Sequence, residues 1–412
     1  MAKKNFVGIG FGPIQSALFL LEAFASGNFD RLVVAEVAPE VVSALRRSDG
    51  KYRINVAEPR RVRSHAVEGI EILNPGEPRD REQLVSAIAS ADEIATALPS
   101  VEFFGRGSPS PAKLLASGIE RMLAAGETRP MVVYAAENHN HAAELLRDQV
   151  QSKLPPAKRK PLDAHVQFVN TVIGKMSGVV TDREEIEANR LEPLTGFGAQ
   201  AVLVEQFNRI LIEKIKLPGF QRGLNVFEEK EELLPFEEAK LYGHNGAHAL
   251  MGYLAQARGM RFMSQVRDSS LLELVEHAFL AESGVPLCRR HAGGDPLFTD
   301  SGWQQYVLDL LQRMTNPFLQ DRVDRVTRDP QRKLGWSDRL IGTMRMAIEY
   351  QVQPYNYALG AAGAVQVLLN EQAGCDIDTL LEKLWNDDDG PTEIRDAVVA
   401  LIHDAFDKLG RL

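Results

Sequence analysis

The stretch Asn5-Phe-Val-Gly-Ile-Gly10-Phe-Gly12-Pro-Ile-Gln15 decides how the first half of the chain is read. It begins as a short apolar strand and turns at its glycines into a helix that continues through residues 16–24. In a dinucleotide fingerprint such glycines permit a tight turn and let a pyrophosphate approach the helix N-terminus. The register is Gly10-x-Gly12-x-x-Gln15, with glutamine in place of a third glycine. A lone Gly-x-Gly also suits a flexible loop, so the next strand matters. Residues 31–36, Arg-Leu-Val-Val-Ala-Glu, end in an acid about where a ribose-binding carboxylate belongs. Glu36 there would bond the ribose hydroxyls and repel a 2′-phosphate, so NAD is expected rather than NADP. Gly10, Gly12, Gln15 and Glu36 are the candidate cofactor contacts.

Outward from this stretch, strands and helices alternate. Strands are expected at 52–56, around 67–73, at 92–98 and at 131–136, with helices at 83–90 and 111–125. This alternation predicts an α/β chain with a Rossmann-type doubly wound domain and ligands at the carboxyl ends of its strands. Glu137-Asn138-His139-Asn140-His141 follows one such end. Read from the residues alone, Asn138 is a helix cap and the two histidines are solvated. Residues 153–161, basic and proline-rich, read as an exposed connection. Near residue 204 the pattern changes to longer helical segments, the first an amphipathic helix at 205–213. The expected organisation is therefore a dinucleotide-binding domain at 1–204 and a mostly α-helical substrate domain at 205–412. Further helices are expected at 270–281, 303–314 and 358–369, then an acidic loop at 387–391 with Thr392 as a cap.

Composition narrows the partners. The 412 residues are 44% hydrophobic and 25% charged, ordinary for a globular chain of two domains. A net charge of −9 argues against a general nucleic-acid binder. Only Cys288 and Cys375 are present, so no disulfide framework is expected and a cytoplasmic setting is natural. The apolar runs are too short or too interrupted to span a bilayer.

The chemistry concentrates in Lys240-Leu-Tyr-Gly-His-Asn245-Gly-Ala-His248. On an α-helix Lys240, Asn245 and His248 share one side of the cylinder, so an amine, an amide and an imidazole converge. Gly243 and Gly246 each cost roughly 1 kcal/mol against alanine in a helix interior, which makes sense if a ligand or another backbone comes close. A surface helix with ordinary polar residues would explain any one of these residues but not the set. His244-x-x-x-His248 has the spacing of a zinc pair. Asn245 stands where a zinc protease has its glutamate, and no third ligand stands out, so metal is the lesser reading.

Lys240-x4-Asn245-x2-His248 resembles the signature of the long-chain polyol-specific dehydrogenases. A second segment, from Asn316 through Asp321, Arg325 and Arg328 to Arg332-Lys333-Leu334, is similar to the branch acting on mannitol 1-phosphate. The resemblance runs from residue 5 to about residue 370, sharp in these two segments. It implies a metal-free NAD-dependent dehydrogenase and a monomer, acting on a polyol or polyol phosphate held between two domains. Lys240 would be the general base, Asn138 and Asn245 would share an oxyanion site, and His248 would orient the substrate hydroxyl. Arg332 and Lys333 would hold a phosphate. One departure stands out: Gly174-Lys175 replaces the family's Asp-Arg pair. The rival readings are a dehydrogenase of a free polyol or hexonate, and a catalytically silent NAD-binding regulator.

Overall fold

The computed structural model describes residues 3–410 apart from 127, 128, 372, 373, 387 and 389. The chain divides into two compact units, Met1–Leu234 and Pro235–Leu412.

Among the described residues of the first unit twelve strands run in chain order: β1 Lys4–Ile9, β2 Phe29–Ala35, β3 Tyr52–Ala57, β4 Val62–Val67, β5 Ile70–Leu73, β6 Glu93–Thr96, β7 Met131–Ala135, β8 Val166–Val172, β9 Ser177–Val180, β10 Ala201–Glu205, β11 Ile210–Glu213 and β12 Phe227–Lys230. Eight of them form one sheet in the order β12-β11-β8-β7-β6-β1-β2-β5. The strands from β5 through β8 pair in parallel, and β11 joins β8 antiparallel. Both faces are covered, and the side chains show it. Along β7, Val132 and Tyr134 enter one apolar core while Met131, Val133 and Ala135 enter the other. A period of two with both faces buried explains why these strands read as continuous apolar runs.

Several expectations change. The alternation around 67–73 is two strands that part company: β5 edges the main sheet and β4 joins a smaller sheet, β4-β3-β10-β9. Residues 205–213 are not a helix. Ile210-Leu-Ile212 carries β-branched residues with Ile210 and Ile212 buried, so it pairs as β11, the short apolar run being ambiguous by periodicity alone. Strands β11 and β12 consequently extend the first unit to Leu234, beyond the boundary expected at 204. Residues 156–165 are helical, with Pro156 preset at the first turn and Leu162 buried beneath. Thr392 opens the last helix, Thr392–Leu409, rather than capping it. In the acidic stretch, Asp387 and Asp389 lie outside the described residues.

Lys175 is explained here. It is buried, and its ammonium donates to the carbonyls of Glu205 (2.7 Å) and Phe207 (2.9 Å) and to Asn208 Oδ1 (2.5 Å). The lysine staples the segment after β8 to the loop after β10.

The second unit is built around the helix Gly246–Ala257, nearly all of which is buried. The helix Tyr355–Glu371 packs against it. A β-carbon at Gly360 would lie 3.1 Å from Leu250 Cα and one at Gly363 2.8 Å from Tyr253 Cβ, so the small-residue stretch read at 358–369 serves close helix packing. Glu282 caps that second helix by accepting from the backbone N–H groups of Asn356 and Tyr357, both at 2.9 Å.

Candidate active site

The first unit carries a cavity of about 900 Å³ at the carboxyl ends of β1, β2 and β6. Gly10, Phe11 and Gly12 line it, with Glu36 and Val37 after β2 and Ala97, Leu98 and Pro99 after β6. Gly10 has φ +86°, and a β-carbon there would lie 3.0 Å from the Ala97 carbonyl, so only glycine turns the chain at this point. Gly12 has no neighbour within 4 Å of where a side chain would begin, which leaves its backbone open to close approach. The Glu36 carboxylate accepts from the N–H groups of Phe11 (2.9 Å), Val37 (2.7 Å) and Ala38 (2.8 Å). A carboxylate has about four acceptor positions, so capacity remains for a ribose hydroxyl.

Gln15 sits elsewhere. It is fully buried, packs against Gly8 and does not line the cavity. Its side chain takes the volume the missing third glycine would have left open. The sequence-based assignment of Gln15 as a cofactor contact thus differs from where the structure places it.

At the end of β7, Glu137 is buried while Asn138, His139 and His141 are exposed. Thr96 Oγ1 donates to Glu137 Oε2 and the Leu98 N–H to Oε1, both at 2.9 Å. Burial raises the Glu137 carboxyl to about 7, and these hydrogen bonds oppose the rise. Sequence reasoning passed over Glu137, because a polar residue after a strand is so often a cap.

In the second unit, Lys240 and Asn245 lie on a π-helical turn, Ala239–Asn245, which passes directly into the helix Gly246–Ala257. A regular α-helix was expected. In a π-turn the hydrogen bonds close from residue i to i+5, so residues five apart stack along the axis. Lys240 and Asn245 are five apart, and His248 follows Asn245 at the i, i+3 spacing of the α-helix. The change of pitch therefore aligns the three side chains more closely than a uniform helix would. Gly243 and Gly246 are there for packing: β-carbons would meet Trp303 and Phe279 at 3.0 and 3.1 Å, and the Arg339 carbonyl at 3.0 Å.

The electrostatics single out Lys240. Burial first, then the Arg339 guanidinium, bring its ammonium down to about 8, with Glu237 pulling the other way. His244 is buried, and burial with the charges of Arg313, His248 and Lys240 holds it neutral, well below its ordinary range. Among the described residues no group of three or more His, Cys, Asp or Glu side chains is disposed to hold a metal ion.

Two further residues join the site. Asp321 is buried; His248 Nε2 lies 3.0 Å from its Oδ2, and Arg325 Nε donates to its Oδ1 at 2.8 Å. Burial pushes the Asp321 carboxyl up, but the bond and charge of His248 and the charge of Arg325 outweigh it and hold the group ionised. An ionised acceptor fixes the proton on Nε2 and with it the orientation of the ring. Arg339 donates to Asp338 Oδ1 at 2.7 Å and acts electrostatically on Lys240, His244 and Lys333. Both residues stand in or next to the segment that carries the second resemblance, which was the available signal. Lys333 is buried with its ammonium bonded to the Arg328 carbonyl, and burial, then Arg339 and Arg332, lower it to about 8. Arg332 is exposed.

Comparison with known proteins follows the same division of the chain. The mannitol dehydrogenase Rossmann domain matches residues 4–224 and the mannitol dehydrogenase C-terminal domain residues 232–406. A mannitol-1-phosphate 5-dehydrogenase of Geobacillus thermodenitrificans (strain NG80-2) is 31% identical over 346 residues, 84% of this chain and 80% of that protein. The fold is shared with mannitol 2-dehydrogenase of Pseudomonas fluorescens, solved as a ternary complex with NAD and D-mannitol (TM-score 0.73, 16% identity, 99% of this chain and 92% of that one). It is shared equally with a D-sorbitol dehydrogenase solved in substrate-free form (TM-score 0.76, 14% identity, 99% and 94%).

Proposed function

This chain belongs to the mannitol dehydrogenase family, and on that premise we propose that it interconverts a polyol phosphate and a ketose phosphate, of the mannitol 1-phosphate and fructose 6-phosphate type, with NAD. The observation that carries the chemistry is Lys240, a half-buried amine whose ammonium has fallen to about 8, on the same run of helical turns as Asn245 and the oriented His248. The glycine turn, the open backbone at Gly12 and Glu36 fit a dinucleotide with unphosphorylated ribose.

When bound, NAD supplies the acceptor for the hydride leaving the carbinol carbon. The protein's part is the proton. Neutral Lys240 takes it from the substrate hydroxyl as the carbonyl forms, and the lysine ammonium returns it in the reverse direction. Asn245 would donate to the oxygen while it carries negative charge, a role worth about 2.7–4 kcal/mol for one donor and one that the family resemblance gives to Asn138 as well. His248, held by Asp321, orients the hydroxyl. The reading is metal-independent, because Lys240 removes the proton and the Asn245 amide stabilises the charge on the oxygen, the two tasks a metal-bound site would otherwise share.

The substrate phosphate rests on a second observation, the cationic set formed by Lys333, Arg339 and Arg332. Arg339 and Arg332 both disfavour the Lys333 ammonium, Asp329 and Asp338 only partly offset them, and an anion would relieve the remainder. The relative that is 31% identical carries a phosphate substrate in its name. A panel of polyols and polyol phosphates with NAD, read by NADH absorbance, tests the proposal. Mannitol 1-phosphate or a close analogue is expected to be preferred, and Lys333→Ala to raise its KM about ten- to a hundredfold, one charge-assisted contact. Equal turnover of free mannitol would move the assignment to the free polyol, and no turnover with any member of the panel would leave a silent NAD-binding protein.

A further inference from the structure

Glu137 is a buried carboxyl, 4% exposed, in a protein whose proposed chemistry makes no use of it. Both of its oxygens are occupied, one by a hydroxyl and one by a backbone N–H, so it is not placed to exchange protons with a substrate. The two donors belong to a single turn. Thr96 ends β6, and Leu98 lies with Ala97 and Pro99 in the wall of the dinucleotide cavity. On the other side, Ala136 lines the same cavity and Asn138 is the next residue along. The main-chain ladder holds these two strand ends only as far as the bond from the Ala136 N–H to the Thr96 carbonyl at 3.0 Å. Beyond that bond the carboxylate continues the connection.

We propose that Glu137 is a positioning residue: its carboxylate ties the turn after β6 to the end of β7, and so fixes together the Ala97–Pro99 wall of the cavity and the backbone that carries Asn138. The proposal rests on the cavity being the cofactor site. A plain stabilising role would also place a satisfied carboxylate here, and the two differ in what a folded variant does. Glutamine can keep both bonds, because its amide nitrogen can donate to the Thr96 hydroxyl, which also accepts, while its oxygen accepts from Leu98. Alanine keeps neither.

The experiment compares Glu137→Gln with Glu137→Ala in the full chain, well below the melting temperature of each. Glu137→Ala is expected to weaken NAD binding about tenfold, the loss of one or two net hydrogen bonds, and to lower kcat further through Asn138. Glu137→Gln is expected to restore NAD affinity to within about threefold of wild type. Amide hydrogen exchange at Leu98, measured without cofactor, is expected to speed up in the alanine variant by about the same tenfold. That arm stands or falls without NAD, so a wild type that fails to bind NAD overturns the cofactor reading and not this one. A folded alanine variant with wild-type NAD affinity and wild-type Leu98 exchange overturns the proposal, as does a glutamine variant as impaired as alanine. Should Glu137→Ala not fold, Thr96→Val removes one donor at nearly constant volume, and unchanged NAD affinity and Leu98 exchange in that variant count against it equally.

Discussion

At the scale of single residues, the proposed reaction depends on how far one ammonium has been moved. Lys240 is brought to about 8 by burial and by Arg339, so near neutral pH most of it is still charged. Alcohol oxidation needs the neutral amine, hence kcat/KM for the polyol should rise with pH and level off above about 8. Ketone reduction needs the ammonium and should fall over the same range. Arg339→Met removes a cation beside the amine, which lets the Lys240 ammonium rise again and should shift both profiles to higher pH; unmoved profiles would show that Arg339 is not what tunes it. Lys240→Ala should cost orders of magnitude in kcat with NAD affinity little changed, since the amine acts on the substrate alone. The orientation of His248 is a separate matter. Asp321→Asn removes a charged acceptor from the imidazole and from Arg325, a loss of about 1.5–3 kcal/mol, and should lower kcat about ten- to a hundredfold. A near-normal kcat in that variant would mean that the ring is held by something else.

At the scale of elements, the π-turn Ala239–Asn245 is what turns a sequence spacing into the proposed site. It is held from outside by aromatic side chains. A β-carbon at Gly243 would press on Trp303 and Phe279, and those rings face each other edge to face at 5.8 Å, so neither can move aside freely. Alanine gains up to roughly 1 kcal/mol of helix propensity over glycine. Overpacking a rigid site costs about 1–3 kcal/mol and should prevail. Gly243→Ala is thus expected to lower the melting temperature and also kcat, because relief of the clash shifts Lys240 against Asn245. A more stable and fully active variant would refute the packing argument. The same elements show what the sequence made legible. The turn from β1 at Gly10 was readable because positive φ and close backbone approach leave a glycine signature. Lys240, Asn245 and His248 stand out in the sequence because their chemistry is uncommon in combination. The π-turn was not readable, since nothing in the composition of 239–245 separates a π-turn from an α-turn, and the rings packed against it at Gly243 come from residues 279 and 303. Strand β11 was missed for a related reason: four residues that fit either period are decided by the neighbouring β8 and β12. Gln15 was misplaced because a motif position records where a residue stands and not which way it packs.

At the scale of the whole molecule, the cofactor should be visible as stability. A ligand that binds only the folded chain stabilises it according to concentration over Kd, about 2.7 kcal/mol at a hundred times Kd. Which dinucleotide does this depends on Glu36. Its carboxylate is pinned by three backbone N–H groups, so it cannot swing aside to make room for a second anion. Two like charges about 4 Å apart repel by about 4 kcal/mol at the effective dielectric of a protein surface. Solvent at the half-exposed rim reduces that, and about a hundredfold weaker binding of NADP is a reasonable expectation. At equal concentration, set at a hundred times the Kd for NAD, NADP would then sit near its own Kd and contribute only about 0.4 kcal/mol. A thermal melt should accordingly rise clearly with NAD and barely with NADP. Glu36→Ala should bring the two melts together, NAD losing its ribose contact while NADP loses the repulsion. Equal stabilisation of the wild type by both dinucleotides would remove Glu36 from its assigned role.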